Sequence, residues 1–135
     1  MTKIEIIYKG DLRTKAKHIE SDSTIITDAP KDNQGNGEFF SPTDLVCTAL
    51  GSCILTIMGI ALRKHDVSIT GTNMKINKYM SSQPRMISKI ELDIYFKSSY
   101  NNKIKKILER SAVNCPVYKS LSNEIEKNIN FHYKL

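Results

Sequence analysis

Three cysteines are the residues of this chain best suited to covalent chemistry, and their local settings differ. Cys53 lies in an uncharged run, where a buried thiol is inert unless a nearby cation favours its thiolate. Cys47 precedes it by six residues, which a period of about 3.6 residues per turn places roughly 120° away around a helix. We therefore expect Cys47 to be a small apolar core residue, without excluding a role as a third redox thiol.

Cys115 has a different environment, in the segment Val113-Asn114-Cys115-Pro116-Val117. Proline is favoured at the first position of a helix, so this segment predicts that Cys115 is the N-cap. The free backbone N–H groups and the helix dipole at that position favour a thiolate. The sequence thus predicts a thiol of lowered pKa, near the surface of its element and able to reach a partner; an incidental N-terminal cysteine is the alternative.

Other catalytic and binding chemistries find little support in the sequence. There is no C-x-x-C or H-x-x-x-H pair, and His18, His65 and His132 are isolated, so we expect no metal site. Neither a glycine-rich phosphate loop nor a serine nucleophile elbow is present, and we expect no bound cofactor.

The chain has a net charge of +6, which raises the question of nucleic-acid binding. Its lysines are dispersed, and the densest cluster, Lys103, Lys105 and Lys106, shares a predicted helix with Glu109. No nucleic-acid motif accompanies the cluster. We expect a solvated basic surface rather than a nucleic-acid site, which remains a minor alternative.

The length of 135 residues fits one domain, residues 1–135. The N-terminus has no apolar signal core, so we expect a cytoplasmic location and no membrane attachment. An odd number of cysteines in such a chain favours reduced thiols over structural disulfides.

Hydrophobic patterning predicts the order βββ-α-ββ-αα-β, an α+β fold. Strands are predicted at 3–8, 12–19 and 23–27, forming a meander, followed by a loop at 28–40. Further strands are predicted at 67–80 and 86–96, helices at 101–113 and from 116 to about 127, and a last strand at 129–133.

The predicted central helix begins with Ser41 as N-cap, Pro42 at the first position and Asp44 at the third. Residues 45–62 carry no charge, and the basic residues 63–65 suit a helix end. The run is long enough for a membrane span, but its small and hydroxyl residues favour a helix buried on every side. A domain this small needs a second copy to bury it, which predicts an obligate homodimer. Close approach would be allowed by Ala49, Gly51, Ser52 and Gly59.

Three motifs stand out, at residues 41–45 (SPTDL), 49–53 (ALGSC) and 115–117 (CPV). The first two resemble the central helix of the OsmC/Ohr family, and the third resembles its second cysteine motif. Residues 8–13 (YKGDLR) and 27–30 (TDAP) are similar to one OsmC-like branch, so the resemblance covers essentially the whole chain.

The resemblance implies an intertwined homodimer with its active sites at the subunit interface. It implies that Cys53 attacks hydroperoxides and becomes a sulfenic acid, which Cys115 resolves as a disulfide. An external dithiol, such as a lipoylated protein, would reduce that disulfide. Organic hydroperoxides are the implied substrates in a response to oxidative stress, and Leu50 and Ile57 are expected to form an apolar pocket around Cys53.

The family also uses an arginine to stabilise the thiolate and a glutamate directly after the helix-start proline to orient it. Arg13 is the expected arginine, with Arg85 in reserve. The glutamate position holds Thr43, and the sequence leaves open whether Glu38 or Asp44 replaces it. This departure motivates a second hypothesis, a non-catalytic OsmC-like protein that binds a small apolar or electrophilic ligand at the dimer interface.

Overall fold

A computed structural model describes residues 1–134 of the chain, which form two compact units. The first unit comprises Met1–Val46, and the second begins at Cys47. The elements follow the predicted order βββ-α-ββ-αα-β, so the predicted α+β fold is confirmed.

The first unit is a three-stranded antiparallel meander. Its strands are β1 (Ile4–Gly10), β2 (Arg13–His18) and β3 (Thr24–Asp28), in the order β1-β2-β3. The register places Arg13 directly opposite Asp28. A short 3-10 turn, Lys31–Asn33, interrupts the loop that leads from β3 to the central helix.

One face of this sheet is apolar and uncovered in the single chain. Ile4, Ile6 and Tyr8 alternate along β1 and are 61%, 66% and 63% exposed. The buried residues of the unit are all polar, namely Thr27, Asp28 and Ser41. A small sheet is stable only when an apolar face packs against another element. The apolar face of this sheet therefore needs a partner that the unit itself does not provide.

The central helix α1 spans Pro42–Leu62 and continues as a 3-10 turn, Arg63–His65. Ser41 Oγ accepts the Asp44 backbone N–H at 3.1 Å, and Asp44 Oδ2 accepts the Ser41 N–H at 2.9 Å. This reciprocal pair is a capping box and explains why the helix begins here. By length and composition alone the stretch Pro42–His65 could also cross a membrane, since an 18-residue window within it has a mean hydropathy of 2.2. The core helix of a soluble protein can have the same length and composition.

Burial along α1 is one-sided in the single chain. The buried side consists of Cys47, Leu50, Gly51, Ile54, Met58 and Leu62. On another side Ser52 and Thr56 are exposed, and Ile60 is 57% exposed. The expectation of a helix buried on every side is therefore not met by one chain, because its own sheet covers only part of the helix surface.

The second unit contains a mixed three-stranded sheet. It is formed by β4 (Asn73–Ser81), β5 (Met86–Tyr95) and β6 (Glu126–His132), with β4–β5 antiparallel and β5–β6 parallel. The helices α2 (Asn102–Val113) and α3 (Pro116–Ser120) provide the connection that a parallel pair requires. The predicted apolar alternation of β5 is confirmed, since Ile90, Leu92 and Ile94 are fully buried.

The predicted boundaries differ most from the structure at the start of β4 and at the end of α3. Strand β4 begins at Asn73 rather than at Val67, because Gly71 turns the chain with a φ of 86° just before it. Helix α3 ends at Ser120 rather than near Lys127, because residues from Glu126 onward pair with Lys89 and its neighbours on β5. Sheet pairing outweighs the local helical preference in the second case.

Candidate active site

The Cys53 and Cys115 thiols lie in the second unit, close enough for Cys53 to raise the pKa of Cys115. Cys53 is half-buried on α1, whereas Cys115 is fully buried at the N-cap of α3. The predicted N-cap role is confirmed, because Cys115 Sγ accepts the backbone N–H of Tyr118 at 3.2 Å. The fold thus brings together the two sulfurs whose pairing the resemblance implied.

The expected lowering of the Cys115 pKa is wrong in sign. Burial raises the pKa of the Cys115 thiol above its ordinary value, and the neighbouring Cys53 raises it further. The Tyr118 N–H acts in the opposite direction, as expected of a helix N-terminus, but is outweighed. Helix α3 has only five residues, and the sulfur at its start lies in the core rather than near the surface.

Arg13 lies in the first unit, where two carboxylates hold it. Its Nε donates to Asp28 Oδ1 at 2.7 Å, and its Nη2 donates to Asp28 Oδ2 at 2.9 Å. Nη2 also donates to Glu38 Oε2 at 3.0 Å. The guanidinium lies over the Phe39 ring at 4.7 Å, and the two carboxylates raise the Arg13 pKa.

Glu38 and Asp44, the two acids considered in place of the glutamate that is absent at Thr43, have different partners. Glu38 pairs with Arg13, whereas both the backbone N–H and the carboxylate of Asp44 serve the capping box. A carboxylate is therefore present beside Arg13 although the helix-start position holds threonine.

Asp28 is the residue of this cluster that the sequence interpretation missed. It was assigned to the loop at 28–40 and given no site role, yet it ends β3 and is 2% exposed. Arg13 lowers the pKa of its carboxyl group. The signal that would have found it is the hairpin register, which pairs Arg13 with Asp28 across β2 and β3.

The remaining expected site residues are placed as follows. Cys47 is 4% exposed in the core, consistent with its expected structural role. Arg85 lies in the exposed turn between β4 and β5. Among residues 1–134, no group of three or more His, Cys, Asp or Glu side chains is arranged to hold a metal ion.

The two residues expected to form an apolar pocket around Cys53 differ in exposure. Leu50 is fully buried in the core, and Ile57 is half-buried. A cavity of about 450 Å³ lies beside the C-terminal half of α1. It is lined by Leu55, Thr56, Gly59, Arg63, Val67, Ser68, Ile69, Thr70 and Thr72.

Comparisons with known proteins identify the family and the fold. The OsmC-like protein family model matches residues 35–130, and no curated protein matches the chain in sequence. A crystal structure from Psychrobacter arcticus 273-4, of a candidate osmotic stress induced and detoxification response protein, is similar over 98% of this chain and 96% of its own. Its sequence identity is 45% and its TM-score 0.94.

Two more distant crystal structures share the fold. An OsmC-like protein from Mycoplasma pneumoniae is 17% identical with a TM-score of 0.83, covering 100% of this chain and 98% of its own. The organic hydroperoxide resistance protein OsmC from Legionella pneumophila is 11% identical with a TM-score of 0.78, covering 98% and 96%. From the family match over residues 35–130 and the 45% identity to the Psychrobacter protein, the chain belongs to the OsmC-like protein family.

Proposed function

We propose that this protein is a thiol-dependent peroxidase that reduces organic hydroperoxides in the response to oxidative stress. The observation that carries the proposal is the proximity of the Cys53 and Cys115 thiols, which lie on different helices. Family membership supports the same reading, as does the description of the Legionella protein as an organic hydroperoxide resistance protein.

The difference in exposure between the two sulfurs supports different roles for them, with Cys53 attacking the peroxide and Cys115 forming the disulfide. Cys53 is half-buried and can meet a substrate, whereas Cys115 is 0% exposed and can meet only a neighbouring atom. In the proposed first step the Cys53 thiolate attacks the outer oxygen of the hydroperoxide. The O–O bond breaks, the alkoxide leaves as an alcohol after taking up a proton, and Cys53 becomes a sulfenic acid.

Cys115 completes the oxidation in the second step. Its sulfur bonds to the sulfenic sulfur, and its proton leaves with the sulfenic hydroxyl group as water. The resulting Cys53–Cys115 disulfide is returned to two thiols by exchange with an external dithiol, which is itself oxidised. The raised pKa of Cys115 fits this order, because a thiol held protonated does not compete with Cys53 for the peroxide.

Arg13 is the proposed cation for the Cys53 thiolate. A guanidinium keeps its charge at all physiological pH values and presents five donors. Asp28 and Glu38 accept from Nε and Nη2, which leaves the two Nη1 donors for another acceptor. In this proposal Glu38 takes the role of the family glutamate that is absent at Thr43.

The working form is proposed to be a cytoplasmic homodimer that does not bind membranes or nucleic acid. The apolar face of β1 and the exposed side of α1 both lack a cover in the single chain. A second copy would cover such surfaces symmetrically, as in most soluble oligomers.

The test is a thiol titration of the purified, fully reduced protein during addition of cumene hydroperoxide, followed by peptide mapping. We expect two of the three thiols to be lost per chain, with a Cys53–Cys115 disulfide as the product. Persistence of both thiols under excess peroxide would refute the proposal.

Three variants control the experiment. Cys47→Ser should still lose two thiols, because Cys47 is expected to be a structural residue and is buried in the core. Cys115→Ser should stop at a Cys53 sulfenic acid that dimedone traps. Cys53→Ser should be inert, and full biological activity of that variant would favour the ligand-binding alternative.

A further inference from the structure

Asp28 anchors Arg13 with both of its carboxylate oxygens. Oδ1 accepts from Arg13 Nε at 2.7 Å, while Oδ2 accepts from Arg13 Nη2 at 2.9 Å. Oδ2 also accepts the backbone N–H of Glu38 at 3.1 Å, and the Asp28 N–H donates to the Phe40 carbonyl at 3.1 Å. Asp28 thus fixes both the guanidinium and the chain segment that presents Glu38.

The two carboxylates of the cluster differ in how firmly they hold the arginine. The Asp28 side chain is 2% exposed and grips one edge of the guanidinium with two parallel bonds. Glu38 is 62% exposed and accepts a single bond from Nη2. Bidentate pairs fix orientation, whereas an exposed single contact is weak and exchanges readily.

We propose that Asp28 is a positioning residue of the active site, which sets the orientation of Arg13 toward its reaction partner. The inference rests on the proposed function, in which Arg13 stabilises the Cys53 thiolate. Asp28 itself touches neither thiol nor substrate in this scheme and acts only through Arg13.

Asparagine is a stringent replacement at this position. It has nearly the same shape as aspartate, but one of its two terminal atoms is an NH₂ donor. Placed at Oδ1, that donor would face the Arg13 N–H; placed at Oδ2, it would face both Nη2 and the Glu38 N–H. Either orientation breaks the grip without removing bulk.

Positioning and simple electrostatics predict opposite results for Asp28→Asn. Removal of a negative charge beside Arg13 would, by charge alone, make the surroundings more favourable to a thiolate. Loss of the bidentate grip would instead let Arg13 move. A displacement of about 1 Å in a positioning group costs up to about a hundredfold in rate.

The experiment measures the rate of Cys53 oxidation by cumene hydroperoxide in the full-length protein and in Asp28→Asn. The matched control is Asp22→Asn, which breaks the exposed Lys17–Asp22 ion pair of the same sheet. We expect Asp28→Asn to be roughly ten- to a hundredfold slower, and Asp22→Asn to match the unchanged protein. The pH profile of Cys53 alkylation should shift to higher pH in Asp28→Asn only.

A second set of variants distinguishes a loss of Arg13 positioning from misfolding of Asp28→Asn. Arg13→Lys keeps the cation but cannot bind both oxygens in parallel, so it should slow the reaction in the same direction. Adding Asp28→Asn to Arg13→Ala should cause no further loss, because Asp28 acts through Arg13 alone.

The outcomes separate this inference from the proposed function. Peroxide inertness of the unchanged protein overturns both. An active protein in which Asp28→Asn is as fast as Asp22→Asn, or shifts the alkylation profile to lower pH, overturns the positioning role only. A full additional loss in the double variant overturns it as well.

Discussion

Gly51 provides a direct test of how closely α1 packs on the sheet of the second unit. A Cβ atom at this position would lie 2.7 Å from Ile76 Cδ1 and 2.8 Å from Met74 Sδ. Both atoms lie near the ends of side chains on β4, two residues apart on one face. To reach an ordinary separation of 3.4 Å they would have to withdraw by 0.7 and 0.6 Å, from 3.4 − 2.7 and 3.4 − 2.8.

The sign of the Gly51→Ala effect depends on two opposing contributions. Alanine in a helix interior is favoured over glycine by about 0.8–1.0 kcal/mol. Forcing extra atoms into a packed core typically costs about 1–3 kcal/mol. We therefore expect a net loss of roughly 0–2 kcal/mol in the free energy of unfolding.

Gly59→Ala is the matched control on the same helix. A Cβ at Gly59 meets nothing within 4 Å, so only the propensity contribution remains for the chain itself. Urea unfolding at fixed protein concentration measures both variants, with an unchanged m-value as the condition for comparing midpoints. Equal stabilisation by the two substitutions would refute the close packing of Gly51 on β4.

Two further predictions concern Cys115 and the uncovered sheet. The pKa of Cys115 is raised in the folded protein, so the thiol stabilises the fold fully below the ordinary thiol pKa of about 8.5. This stabilisation is lost as the pH rises through the pKa of Cys115 in the folded protein. Unfolding of the reduced protein should therefore become easier above roughly pH 8.5, and a Cys115→Ser variant with the same pH slope would contradict this. Ile6→Glu on the apolar face of β1 should weaken the dimer, as measured by sedimentation equilibrium, whereas Thr24→Glu on the opposite face should not. If the protein without substitutions is a monomer in the same measurement, the proposed homodimer is refuted.

Local patterns in the sequence determined much of the fold. The alternation of Ile90, Leu92 and Ile94 predicted strand β5, and Pro42 with Asp44 predicted the start of α1. Pro116 likewise predicted the N-cap position of Cys115. These features depend on residues within one or two turns or one strand, where side-chain spacing and capping groups act directly.

Tertiary structure decided what depends on distant residues. The N-cap amide favours a Cys115 thiolate, but burial by the rest of the second unit outweighs it and raises the pKa. Asp28 looked like a loop residue until the register of β2 and β3 placed it against Arg13. Burial and strand register both depend on which distant segments pack together, and a local sequence pattern does not contain that information.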